Sequence, residues 1–274
     1  MSVLRSILEK SSLLSSFVIK LGNKLDVKNN RFEVGCYHFQ KNEVVLKGNN
    51  NSLVFKESSY MRHGTVYING ENNCACSGEQ TVMSNSALHI EGNENSVTIG
   101  PNGCLTNSSV FIRGKGNKVI IGENCRLMET KIHIEGNDSI VQIGNDCSFH
   151  GRTPYPNTLF SDEGSRIVIG NDAMLAHGIR IRSTDSHSIV DLEGRRLNYP
   201  EPVYVGEHCW IGLDALLLKG TRIPDHCVVA ARAVCTKAYE EKNCIYAGNP
   251  ARIVKREIDW DRKFIDHIKC GDIP

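Results

Sequence analysis

The sequence predicts an all-β chain wound as a parallel β-helix. Three observations carry that prediction: a 22-residue repeat through the first half, a six-residue repeat through the second, and turn-forming residues at fixed places in both. Aligned at 22 residues, Gly48, Gly70, Gly92, Gly114 and Gly136 share one column, and Asn51, Asn73, Asn95 and Asn117 share another. Val44, Val66, Leu88, Val110 and Ile132 form an apolar column. So do Leu46, Ile68, Ile90, Ile112 and Ile134, and again Met61, Met83, Leu105, Leu127 and Phe149. Within a unit, apolar residues alternate over short runs, the period of a strand rather than a helix. Gly and Asn tolerate positive φ, so a turn at one place in every unit accounts for both of their columns.

From Ile169 the beat falls to six. Ile169, Leu175 and Ile181, then Val205, Ile211, Leu217, Ile223 and Val229, mark successive hexads. An aliphatic residue every six positions points inward from each of three short faces, and such coils stack strand on strand at about 4.8 Å. A propeller or sandwich gives no six-residue beat. The 22-residue unit reads as the same coil with a longer corner or a wider face.

Four segments follow: an N-terminal segment over 1–40, the 22-residue array over 41–164, hexad coils over 165–250 with a loop at 183–202, and a tail over 251–274. Leu4, Leu8, Leu14, Val18, Leu21 and Leu25 fall near helical spacing, which predicts an amphipathic helix. It would cap the open strand edges of the first coil or lie against a membrane surface. The tail stretch "EIDWDRKFIDHIKC" also reads as weakly helical.

Composition narrows the function classes. The chain has 274 residues and a net charge of +1, so no overall field recruits nucleic acid. No run of 18 apolar residues predicts a spanning helix. The N-terminus lacks the small-residue cleavage site of a secretory signal. Of eleven cysteines, Cys104, Cys125, Cys147, Cys209 and Cys227 recur at similar places in the repeats, and no C-x-x-C pair occurs. They read as reduced core thiols of a cytoplasmic protein rather than as disulfides or metal ligands.

The rhythm breaks once, at 183–202, where "STDSHSI" places Asp185 two residues before His187, with Arg180, Arg182, Arg195 and Arg196 on either side. Loops on rigid scaffolds carry function disproportionately, and a nearby carboxylate can orient an imidazole. The plainer account is an Asp-x-His turn that satisfies its own backbone. The arginines either pair with Asp191 and Glu193 or bind an anionic group on a substrate, and His177 is close enough in sequence to join them.

The runs "IGNDAMLAHGIRIRSTDSHSIVDLEGRR", "VYVGEHCWIGLDALLLKGTRIPDHCVVAARAVCTK" and "YAGNPARIVK" resemble the sialic acid and capsular polysaccharide O-acetyltransferases of the hexapeptide-repeat superfamily. That resemblance implies left-handed coils, acetyl-CoA as donor and a bacterial surface polysaccharide as acceptor, either a sialic acid or an N-acetylhexosamine polymer. It also implies a homotrimer with sites between neighbouring prisms. Contact with capsule-building machinery through the N-terminal segment is a further implication. His187 stands where the family has its general base, and Trp210 where a tryptophan helps to build the site. Asp185 would orient His187. Small residues where the coenzyme passes are Gly212, Ala230, Ala231, Gly248 and Pro250, and Lys237, Arg252 and Lys255 would meet its phosphates. The family has glycine where Ala230 stands. Arg180, Arg182, Arg195 and His177 would face the acceptor.

The chemistry needs no enzyme nucleophile. Imidazole, with a reference pKa of about 6.5, can take the hydroxyl proton as oxygen attacks the thioester. A backbone N–H or the indole can stabilise the resulting oxyanion. Acetylation of a small acceptor, such as a nucleotide sugar or an antibiotic, is one alternative, and a non-catalytic glycan-binding β-helix is another. A metal-dependent site would need three converging histidines. His177, His187 and His208 differ in hexad phase, so no metal is expected.

Overall fold

The computed structural model describes residues 22–35 and 38–263. The chain is a three-faced parallel β-solenoid. Face one begins at Lys24–Asp26, face two at Arg31–Val34 and face three at His38–Gln40, and the faces hold 10, 9 and 11 strands. Among the described strands all pairings are parallel except the last, where Ile245–Gly248 turns back onto Ala251–Lys255. The 22-residue columns are the strand register: Leu88 pairs with Val66 and Val110, and Ile112 with Ile90 and Ile134. The hexad aliphatics from Ile169 to Val229 are all buried. Inward and outward positions alternate, so one continuous apolar core fills the prism.

The longer unit is a wider face, not a longer corner. Face-one strands such as Ala87–Asn93 and Ser109–Lys115 have seven residues, whereas Leu216–Leu217 in the hexad region has two. On the outer side of that wide face, equivalent positions meet ring to ring. Tyr67, His89, Phe111, His133 and Phe160 stack with centroids 4.6 to 5.1 Å apart. Lys47 lies over Tyr67 at one end and Arg182 over Phe160 at the other. The rings cover one another, and the array stiffens the prism up to the coil that carries the break.

The two polar columns turn out to have different causes. The column glycines Gly48, Gly70, Gly92, Gly114 and Gly136 all have positive φ, and a Cβ on Gly92 would lie 1.9 Å from the carbonyl oxygen of Gly114. The asparagines do not supply turns. Positive φ falls one residue earlier, at Asn50, Asn72, Glu94 and Gly116. Asn51, Asn73, Asn95 and Asn117 are instead buried and bonded in a ladder. Asn95 Nδ2 donates to Asn73 Oδ1 (3.0 Å) and to the Gly114 carbonyl (2.8 Å), while its Oδ1 accepts the Asn117 N–H at 3.0 Å. Each amide thus satisfies backbone groups at a corner that the strand ladders leave unpaired.

Three other expectations change. The helix expected over 1–25 falls mainly on residues 1–21, outside the described residues, and its described end is the strand Lys24–Asp26. The described residues 22–35 and 38–40 form the first coil of the solenoid rather than a cap. The described part of the tail, 257–263, is irregular rather than helical. The nine described cysteines are free. Cys125, Cys147, Cys209 and Cys227 are buried in one corner column, but Cys104 is one residue out of phase, paired with Arg126, and is only half-buried.

Asn95→Ala removes two donated bonds and strands the Asn117 N–H in the interior. It is expected to cost about 2–4 kcal/mol in denaturant unfolding. Asn102→Ala, which loses one exposed bond to Asn124, is expected to cost less than about 0.5 kcal/mol. Equal losses would contradict the ladder.

Candidate active site

Ile169 pairs with Val205 and Val205 with Ile223, so the coil holding the break takes 36 residues where the next takes 18. The excess is the loop 183–202, which leaves the prism at the corner between faces one and two. It is bolted to the coils on both sides. Below it, Glu163 accepts two bonds from Arg196 (2.5 and 3.0 Å) and one from Thr184 (3.0 Å). Those bonds hold the Glu163 carboxyl below the usual range. Above it, Lys219 Nζ lies 2.6 Å from Asp185 Oδ2 and donates to the Tyr199 carbonyl at 3.1 Å.

Inside the loop, Asn198 is nearly fully buried and acts as its staple. Its Nδ2 donates to Asp185 Oδ2 (2.8 Å) and to the His187 carbonyl (2.7 Å), and its Oδ1 accepts the Ile189 N–H at 2.6 Å. The backbone around His187 is therefore held on both sides. The imidazole itself is exposed and makes no hydrogen bond among the described residues. Asp185 does not orient it directly. Its carboxylate is spent on Lys219 and Asn198, and those two bonds, Lys219 first, hold it below the usual carboxylate range. The loop's tip exposes Ile189, Val190, Leu197, Tyr199 and, completely, Leu192.

Of the four arginines, three are engaged within the chain. Arg195 pairs with Asp191 and Glu193 at 2.7 Å each, closing the tip, and Arg196 holds Glu163. Arg182 lies over Phe160 and donates to Ser186 Oγ at 2.7 Å. Arg180 is exposed and forms no ion pair among the described residues.

The other expected residues gather elsewhere. Trp210 points outward from face three, 39% exposed. Gly212, Ala230 and Ala231 meet at the corner between faces three and one, where a Cβ on Gly212 would lie 2.7 Å from the Ala231 nitrogen. His177 lies at that corner too, half-buried, with Tyr155 at 6.3 Å. Lys237 and Arg252 line one open cleft of about 550 Å³ with Tyr239, Tyr246 and Arg256. Gly248 (φ +94°) and Pro250 form the turn of the final hairpin, and Lys255 ends it. His177, His187 and His208 occupy three different corners, so they cannot share a metal within one chain.

Asn198 and Lys219 were not singled out from the sequence. An asparagine thirteen residues beyond Asp185 and a lysine in a later turn carry no local pattern. Only the register brings them to the loop.

Asn198→Ala is expected to raise amide exchange over 185–199 by at least about tenfold while the strands stay protected. Because the Asp185 carboxyl is depressed, the Lys219 pair is complete at neutral pH and is lost as pH falls through that lowered value. Exchange over the loop should therefore rise in acid before the strands open. Unchanged exchange in Asn198→Ala would contradict the staple.

No family model matches the chain. The polysialic acid O-acetyltransferase of Neisseria meningitidis is 37% identical over 102 residues, covering 37% of this chain and 47% of that protein. That of Escherichia coli O1:K1 is 31% identical over 97 residues, 35% of this chain and 31% of that protein. The chain thus spans less than half the length of these curated relatives. A galactoside O-acetyltransferase of Lactococcus lactis is 30% identical over 107 residues, 39% of this chain and 51% of that protein. Among solved structures, the polysialic acid O-acetyltransferase OatWY superposes with a TM-score of 0.62 at 31% identity, covering 78% of this chain and 95% of that one. With that breadth of similarity on the same solenoid, the chain belongs to the hexapeptide-repeat β-helix acetyltransferases, in the group that includes the polysialic acid O-acetyltransferases.

Proposed function

We propose that this protein transfers an acetyl group from acetyl-CoA to a hydroxyl of a bacterial surface polysaccharide, with a sialic acid polymer as the leading acceptor. The observation that carries the reading is His187: an unpaired imidazole, presented on a loop whose backbone is pinned, in a chain whose relatives are named for this reaction. His187 takes the proton from the acceptor hydroxyl as that oxygen attacks the thioester carbonyl. The charge growing on the carbonyl oxygen meets the Trp210 indole N–H or a backbone N–H. The pantetheine arm would pass the small residues Ala230 and Ala231 at the corner where they stack on the buried Gly212. Lys237 and Arg252 share a cleft suited to its phosphates, and Lys255 lies near it in the hairpin. Arg180, exposed and without an ion pair among the described residues, is the arginine available to an acceptor carboxylate. An N-acetylhexosamine polymer is the next acceptor to test. The likeness to a galactoside O-acetyltransferase supports a small sugar as a second reading.

The arrangement also supports a homotrimer. In a three-faced prism the corner between faces one and two lies opposite face three. His187 therefore leaves one side of the molecule while Trp210 stands on the other. A site using both takes His187 from one copy and Trp210 from its neighbour, and the exposed apolar loop tip supplies a surface for that contact. A cytoplasmic location fits a coenzyme A donor and nine free thiols.

His187→Ala is expected to lower acetyl transfer to polysialic acid by about 10²–10⁴-fold without loss of fold, read as coenzyme A release. Trp210→Ala is expected to be weak on its own. Co-expression of the two variants should restore part of the activity, because mixed trimers contain sites with both residues intact. Full activity in His187→Ala would remove the assigned base, and failure of the mixture to recover would place both residues in one chain.

A further inference from the structure

The corner between faces two and three carries a second cluster of side chains, independent of the His187 loop and of the proposed reaction. His208 and His226 stand one coil apart in "EHCW" and "DHCV", with ring centroids 5.1 Å apart. The C-terminal segment crosses this corner. Asp259 Oδ1 lies 3.4 Å from His208 Nε2 and 3.4 Å from His226 Nδ1, and the Trp260 carbonyl lies 2.9 Å from His208 Nε2. The donor atoms of the three side chains all fall within 4.8 Å of one another. Behind His208, Asp172 Oδ2 is 2.5 Å from Nδ1, and Arg262 grips Asp172 from the far side. Trp260 stacks on His208 at 4.5 Å and donates its indole N–H to the His208 carbonyl at 2.8 Å.

Two imidazoles and a carboxylate are the donor set of zinc and its first-row neighbours rather than of calcium or magnesium. Bonds of about 2.0–2.1 Å set neighbouring donors about 3.0 Å apart at right angles and about 3.4 Å apart at tetrahedral angles. The two Asp259–histidine spacings of 3.4 Å match the tetrahedral value, the two imidazole donors lie within 4.8 Å of each other, and the 2.9 Å from His208 Nε2 to the Trp260 carbonyl is a hydrogen bond that a bound ion would replace. Asp172 on Nδ1 is the carboxylate that commonly backs a ligating histidine. It holds the ring proton there and leaves Nε2 to the metal.

We propose that His208, His226 and Asp259, with the Trp260 carbonyl as a further donor, bind one zinc-class dication. That ion fastens the C-terminal segment across this corner, beside Trp210, whose ring is 6.1 Å from that of Trp260.

The test uses untagged full-length protein, stripped with a chelator and titrated calorimetrically with Zn²⁺. The expected result is one equivalent per chain with Kd at or below about 10 μM. His226→Ala and Asp259→Asn should each weaken binding at least about tenfold, while His187→Ala binds as the parent does. The chain has two tryptophans, so in Trp210→Phe the remaining emission reports Trp260 alone, and Co²⁺ should quench it with the same stoichiometry. Circular dichroism confirms that each variant is folded. No binding up to about 100 μM would overturn the site and leave the cluster as hydrogen bonds alone. Binding that survives both substitutions would also overturn it, assigning the metal to other ligands such as the exposed Cys74.

Discussion

The constraint on which the rest depends is that every coil must stack in register on the next. Each strand hydrogen-bonds its equivalent one coil away, so equivalent residues meet along columns and the interior is filled by like on like. Glycine must follow glycine where carbonyls pack closely, and a buried amide must follow a buried amide where corners lack backbone partners. The result is a stiff prism with flat faces. A flat face can bind, but it cannot enclose a reacting group. Chemistry therefore collects where the register is interrupted.

The loop at 183–202 shows how such an interruption is kept rigid. It is tied to the coil below through Glu163, to the coil above through Lys219 and across itself through Asn198. If His187 is the base proposed above, ordering it in this way lowers the entropy that substrate binding must otherwise supply. The arginines that made the segment conspicuous mostly serve this bracing. Arg195 and Arg196 are matched by acids and Arg182 stacks on Phe160, which leaves Arg180, in the strand from which the loop departs, exposed and without an ion pair among the described residues.

Much of this was legible in the sequence, for a physical reason. A stacked coil repeats its environment, so its demands appear as columns, and the inward aliphatics from Val44 to Val229 could be named without coordinates. What escaped was set by contacts across the register rather than along it. The asparagine column was visible, but its cause was not, because positive φ and a buried amide both favour Asn and differ by one position. Asp185 stood close to His187 in sequence, yet its carboxylate turned to Lys219, which comes from the next coil. His208 and His226 recur one coil apart, but Asp259, which completes their cluster, lies in a tail that carries no repeat, so no periodicity ties it to them.

The central claim is that one prism cannot complete the site and that a loop from one copy works against face three of another. A crystal structure with coenzyme A and a sialic acid oligomer bound would test it most directly. The account predicts the His187 imidazole within hydrogen-bond reach of an acceptor hydroxyl, in a cleft whose opposite wall carries the neighbouring copy's tryptophan and small-residue corner. An acceptor bound wholly within one chain, away from His187, would contradict it.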